Sequence, residues 1–250
     1  MPLHLLRVGS VLAILALWGG GASAQGTITV GFDAADPPLM YEASGKAAGL
    51  YPDLIAAIFA KMGVSISTFA APWTRVLAGA DAGTNGVGGI YKNAAREAKY
   101  DYSAPIYEEE IAIYTQGTKA FDFKDIDSLS GKTIGVIRGW SYGDDFDKAR
   151  AAQKFRVEEV EGDELNVTKL GLGRLDAIVG IPLSVDAAIR KNRLGGKIAK
   201  LPEALSKNPT YLVFSKTADK EALLEQFDDA LAKSRTDGSY DQIIRNSLAK

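Results

Sequence analysis

Lys132–Arg138 (KTIGVIR), Asp144–Ala152 (DDFDKARAA), Phe155–Val160 (FRVEEV), Glu164–Leu172 (ELNVTKLGL) and Leu175–Gly180 (LDAIVG) follow one another with only short turns between them. The first, third and fifth are short and rich in Ile and Val, which suits strands. The second and fourth carry apolar residues at helical spacing, and Ser141 stands where it can cap the first of these helices. Strand and helix in strict alternation point to an α/β fold with a mostly parallel sheet. The pattern continues outward with a helix over Leu183–Asn192, a short strand Ile198–Leu201 and a strand Tyr211–Phe214. Thr217 is placed to cap a long helix over Lys220–Arg235, and Ser239-Tyr240-Asp241-Gln242 reads as a capping box that starts the last helix.

The same alternation precedes this stretch. Thr27–Gly31 (TITVG) is a strand, and residues 32–48 read as loop around Pro37-Pro38 and Ser44-Gly45. Pro52–Met62 is an amphipathic helix with Pro in its first turn and Gly63 as its stop. Val64–Phe69, Gly86–Ile90 and Ile111–Thr115 are strands, and Trp73–Ala82 is a short helix. A polar link, Gly117–Ser130, separates this half from the next. An α/β pattern that runs twice predicts two lobes, and a cleft between lobes is where a small ligand binds.

The start of the chain reads differently. A mildly basic Met1–Arg7 leads into an apolar run, Val8–Trp18, and then into three glycines and Ala22-Ser23-Ala24. This is the layout of a secretory leader, residues 1–24, cut near Gln25. It implies a soluble protein exported to a bacterial periplasm. The chain holds no cysteine, so it has neither a disulfide framework nor a thiol for lipid attachment. Its single histidine, His4, falls in the leader. Zinc or copper sites and Ser-His-Asp or Cys-His catalysis are therefore not expected, and neither is any cofactor. With 29 basic against 31 acidic side chains, net −2, nothing suggests nucleic acid as a partner.

Candidate binding residues cluster around Gly88-Gly89-Ile90-Tyr91-Lys92-Asn93-Ala94-Ala95-Arg96. The glycines free backbone N–H groups for a ligand, and Asn93 caps a helix whose first turn holds Arg96. A guanidinium there can grip both oxygens of a carboxylate. Gly89 and Tyr91 would line the site, as would Trp73 after Pro72. Trp140 and Ser141, following Gly139 at another helix start, offer further N–H groups. Lys92 and the run Glu108-Glu109-Glu110 read as solvated charge, and Asp53 as a partner of its own helix dipole.

In order and spacing these motifs resemble bacterial extracellular solute-binding proteins of the polar amino acid ABC importer type, family 3. The resemblance runs through Asp36-Pro37-Pro38, Gly49-Leu50-Tyr51-Pro52-Asp53-Leu54 and Pro72-Trp73-Thr74-Arg75. It continues through Arg96 with Tyr102-Ser103-Ala104-Pro105-Ile106-Tyr107, then Gly131–Val136, Gly139 and Gly173-Arg174-Leu175-Asp176-Ala177. It implies the two-lobed type II periplasmic binding fold. The first lobe would comprise 25–113 and a return segment 213–250, the second 114–212, with a hinge of two crossing strands at Ile111–Thr115 and Tyr211–Phe214. It also implies a monomer that takes a small carboxylate-bearing ligand and delivers it to the membrane permease of an ABC importer. Arg96 would hold the ligand's carboxylate. In the amino-acid binders an acid follows the Asp-Ala strand and holds the ligand's ammonium; here that position is Ile181. The ammonium contact is then either missing or moved to Asp36. Two other readings remain: a prephenate dehydratase-like enzyme on the same fold, recruiting Glu108 or Asp36 as acid, and a ligand-sensing partner of a membrane receptor.

Export predicts a processed N-terminus. Sequencing of the protein recovered from the periplasm should start at or near Gln25; full-length material retained on membranes would contradict it.

Overall fold

The β-branched start forms β1 (Ile28–Asp33) in a computed structural model that describes residues 27–250; the expected leader, residues 1–24, lies outside them. The stretch expected as loop instead folds into a small three-stranded sheet of β2 (Ala35–Asp36), β3 (Met40–Ala43) and β4 (Lys46–Ala48). Strands of two to four residues are too short to leave a periodic signal between their turn residues. Next come α1 (Leu50–Lys61), β5 (Ile66–Ala71), α2 (Trp73–Asp81), β6 (Gly86–Ile90), a single turn α3 (Ala94–Glu97), β7 (Tyr100–Tyr102) and the long β8 (Tyr107–Gln116). The second unit is β9 (Thr133–Ile137), α4 (Asp144–Ala151), β10 (Arg156–Val160), α5 (Asp163–Gly171), β11 (Ala177–Gly180), α6 (Pro182–Lys191) and β12 (Ile198–Lys200). The chain returns through β13 (Ser206–Ser215) to α7 (Glu221–Thr236) and α8 (Ser239–Leu248). Among the described residues, no helix is long and apolar enough to cross a membrane.

The main sheet has the order β10-β9-β11-β8-β13-β6-β1-β5. Both ends are parallel, as the alternation requires: β1 with β5 and β6, and β9 with β10 and β11. The two units meet through β8 and β13, which run antiparallel with Tyr107–Ile111 against Ser206–Thr210. Beyond this ladder β8 pairs with β11 and β12, while β13 pairs with β6 and β7. The crossing ladder therefore starts earlier than the expected stretches and shares only Ile111 with them; Ala112–Tyr114 and Tyr211–Val213 already pair within one unit each. The three consecutive glutamates hid the first half of β8.

Helix α7 packs on α1 through Phe227 and Phe59, whose ring centroids are 5.3 Å apart. Its buried residues Leu224, Phe227 and Leu231 repeat at helical spacing toward that face. The end of α8 is tied to the start of α1: Ser247 donates to Asp53 at 2.8 Å and Lys250 at 2.6 Å. Three expected caps are replaced. Helix α4 starts after Gly143, and the Ser141 hydroxyl donates to Asp147 instead. Thr217 lies in a short 3-10 turn, so Lys220 precedes α7, and Gly238 rather than a capping box precedes α8.

Phe227 is fully buried at the seam between the return segment and α1. Phe227→Ala should cost about 3–5 kcal/mol, as large-to-small changes in a packed core do. Urea denaturation checks this; a loss under 1 kcal/mol would mean that α7 is not part of that core.

Candidate functional site

Six of the proposed residues come together. Trp73, Gly89, Tyr91 and Arg96 from one side, and Trp140 and Ser141 from the other, line a cavity of about 10 Å³ between the two units. That is room for about one water. The indoles of Trp73 and Trp140 stand 6.3 Å apart, tilted by 58°. Gly89 has φ 79°, and a Cβ there would lie 2.7 Å from the Tyr51 ring, so the backbone must pass close to that ring. Wider grooves open at the edges: one of about 460 Å³ beside Arg96, Lys99 and Arg150, another of about 380 Å³ beside Pro37, Tyr41 and Glu161.

Arg96 is held by its local fold. Asn93 caps α3 by accepting from the Arg96 backbone N–H at 2.9 Å. The guanidinium donates to the carbonyl of Tyr91 at 3.0 Å and, across the cleft, to that of Gly139 at 3.3 Å. Burial holds its pKa below the usual arginine value. A second bond crosses the cleft: Trp140 Nε1 donates to Asp33 at 2.8 Å.

The interior beneath this cavity is acidic. Asp33, Asp36, Glu109 and Asp163 are all buried. Asp33 accepts from Trp140 and from the backbone N–H of Ala35, yet burial pushes its pKa up to about 6. Glu109 accepts from the hydroxyls of Tyr51 and Tyr91, one on each oxygen, and burial pushes it up to about 7. The middle of the glutamate run is thus not solvated: Glu109 points inward, between the more exposed Glu108 and Glu110. Asp36 and Asp163 are raised by burial, Asp36 further by the charge of Asp163. Among the described residues, neither oxygen of Asp36 has a hydrogen bond of full geometry, and the nearby Ser184 hydroxyl offsets the upward push only in part.

Asp36 and Ile181 do not line the small cavity. Ile181 precedes α6 and packs into the core. The acid on that side of the cleft is Asp163, first residue of α5, which the sequence reading passed over. Its carboxylate lies over Gly180, the neighbour of Ile181: a Cβ on Gly180 would stand 3.3 Å from each of its oxygens. The available signal was an acid at a helix start, which usually serves only the dipole. Lys92 is exposed, with its ammonium over the rings of Tyr102 and Tyr211 at 4.9 and 4.8 Å. No group of three or more acidic or histidine side chains with metal-binding geometry occurs among the described residues.

A small cavity between two α/β units joined by two strands is an arrangement met in known proteins. An ancestral arginine-binding protein, solved with arginine, superposes with a TM-score of 0.76 at 26% identity, over 89% of this chain and 98% of that one. The L-cystine-binding protein TcyJ of Escherichia coli K12 is 26% identical over 86% of this chain and 80% of its own length. The probable amino-acid-binding protein YxeM of Bacillus subtilis 168 is 22% identical over 95% and 91%. A histidine kinase sensor domain with similarity to periplasmic binding proteins shares the fold, with a TM-score of 0.78 at 21% identity over 89% and 96%. The profile of one family matches residues 28–249, nearly all of the described chain. The chain belongs to the bacterial extracellular solute-binding proteins, family 3.

Proposed function

We propose that this protein captures a small amino-acid-like solute in its cleft and delivers it, as a monomer in the periplasm, to the permease of an ABC importer. One observation carries the reading: a single cavity takes its lining from both lobes, Trp73, Gly89, Tyr91 and Arg96 from the first, Trp140 and Ser141 from the second. Ligand contacts made by both walls at once are what couple binding to closure. Arg96 already reaches both walls, and the Gly139 carbonyl it bonds is a neutral acceptor. A solute carboxylate would be a stronger acceptor for the same fork. The cystine- and arginine-binding relatives support an amino acid or a close analogue as cargo. Binding and release, with no bond made or broken, account for the arrangement.

Arg96→Ala should weaken binding of the best ligand in an amino acid panel by roughly ten- to a hundredfold. A charge-assisted bidentate contact contributes roughly 1.5–3 kcal/mol, and 1.4 kcal/mol is about a factor of ten. Calorimetry with arginine, cystine, histidine and glutamine makes the test; wild-type affinity in the variant would remove Arg96 from the site.

The closed form should also be sensitive to pH. Asp33 and Glu109 bind protons more tightly when buried than when free, with pKa values of about 6 and 7. Their contribution is complete below the ordinary carboxylate pKa of about 4 and is lost as pH rises through 6 and 7. The ligand-free protein should therefore melt at a lower temperature at pH 8 than at pH 5. Glu109→Gln should shrink that difference, and an unchanged pH profile in this variant would contradict the assignment.

A further inference from the structure

One turn of the second lobe reaches across to the first. After β9 the chain folds back at Arg138-Gly139-Trp140. Gly139 has φ 76°, a conformation that suits glycine, and the Trp140 backbone N–H donates to the carbonyl of Ile137 at 3.2 Å. The turn is braced within its own lobe: the Tyr142 hydroxyl accepts from the Ile137 N–H at 2.9 Å, and the Trp140 and Tyr142 rings lie 6.3 Å apart. Its tip lies against the first lobe. A Cβ on Gly139 would stand 3.1 Å from Cγ2 of Thr74 and 3.4 Å from Cδ1 of Trp73. Two bonds then cross the cleft from adjacent residues. The Gly139 carbonyl accepts from Arg96 at 3.3 Å, and the Trp140 indole N–H donates to Asp33 at 2.8 Å.

The first of these bonds engages the guanidinium that solute capture needs. The cavity left beside the turn holds about 10 Å³, room for one water. No amino acid fits that space, so the walls as they stand and a bound solute exclude each other. A solute must part the turn from the first lobe before it touches both walls. The contact also leaves a releasable fault: Nε1 of Trp73 is buried without an acceptor among the described residues. An unpaired buried donor offsets part of what the two cross-cleft bonds contribute.

We propose that the Arg138-Gly139-Trp140 turn is a built-in competitor of the solute: it latches the cleft through Asp33 and Arg96, and capture begins with its release. The proposal rests on the solute-capture reading and adds the residues that set its affinity. The latched molecules cannot bind, so the apparent affinity falls with the fraction that is latched. Weakening the latch therefore tightens capture, the opposite of what loss of a solute contact does.

Small-angle scattering and calorimetry test this on the mature protein, freed of bound solute by unfolding in guanidinium chloride and refolding. Gly139→Ala sets a methyl group against Thr74, and Trp140→Phe removes the indole N–H while keeping a ring. The scattering of the solute-free wild type should fit the closed arrangement, and both variants should show a larger radius of gyration. Arginine, cystine, histidine and glutamine are then titrated. Each one that the wild type binds should bind Gly139→Ala roughly three- to tenfold more tightly, within the range that one hydrogen bond to a charged group supplies. A wild type already as expanded as the variants would overturn the latch and leave solute capture standing. So would variants as compact as the wild type, or equal or weaker binding by an expanded Gly139→Ala. If that variant fails to fold, the wild-type profile and Trp140→Phe still decide. If none of the four amino acids binds, the capture reading falls, and the scattering judges the latch by itself.

Discussion

Closing this cleft buries carboxylates, and the arrangement of its interior follows from how each one is compensated. Asp33 is met by an indole from the opposite lobe, so the bond that neutralises an acid also holds the lobes together. Glu109 is met by two tyrosines of its own lobe, and this explains why bulky rings stand at Tyr51 and Tyr91 beside a glycine. Asp36 and Asp163 have no such partners among the described residues, and they face each other from the two walls. Buried charge without a partner is among the costliest arrangements in a protein, and both carboxyls answer it with a raised pKa.

The rest of the fold serves to bring these walls together. In this sheet the two parallel ends are joined by an antiparallel pair, β8 with β13. Each strand is shared: one end belongs to the first lobe or its ladder, the other to the second. Glu109 sits on this shared segment, so an acid of the interior is built into the element that joins the lobes. The return helices α7 and α8 then fasten the last residues to α1.

Much of this was legible in the sequence. The alternation of strands and helices, the two halves, the family and six residues of the cavity lining all come from local pattern and motif order. What was missed has identifiable causes. The Glu108–Glu110 run looked solvated by composition, but period-two alternation groups Glu109 with Tyr107 and Ile111, and that clue was available. Ser141 and Thr217 looked like caps because Ser and Thr usually are; other local partners, Asp147 in the first case and Ser215 in the second, took them elsewhere. Asp163 could not be found by looking for an acid at the end of β11. Its carboxylate arrives there from a different element, across the space that Gly180 leaves open, and only the packing of α5 against the sheet reveals it.

The pair Trp73 and Trp140 has a consequence of another kind. The chain has three tryptophans, and Trp18 falls in the expected leader. The other two are the indoles that face each other at 6.3 Å, one from each wall. All tryptophan emission of the processed protein then originates at the cleft. Separating the walls would hydrate both rings and end their close approach, while folding elsewhere would leave them untouched. The molecule carries its own optical gauge of opening, with no label to attach and no background from the remainder of the chain.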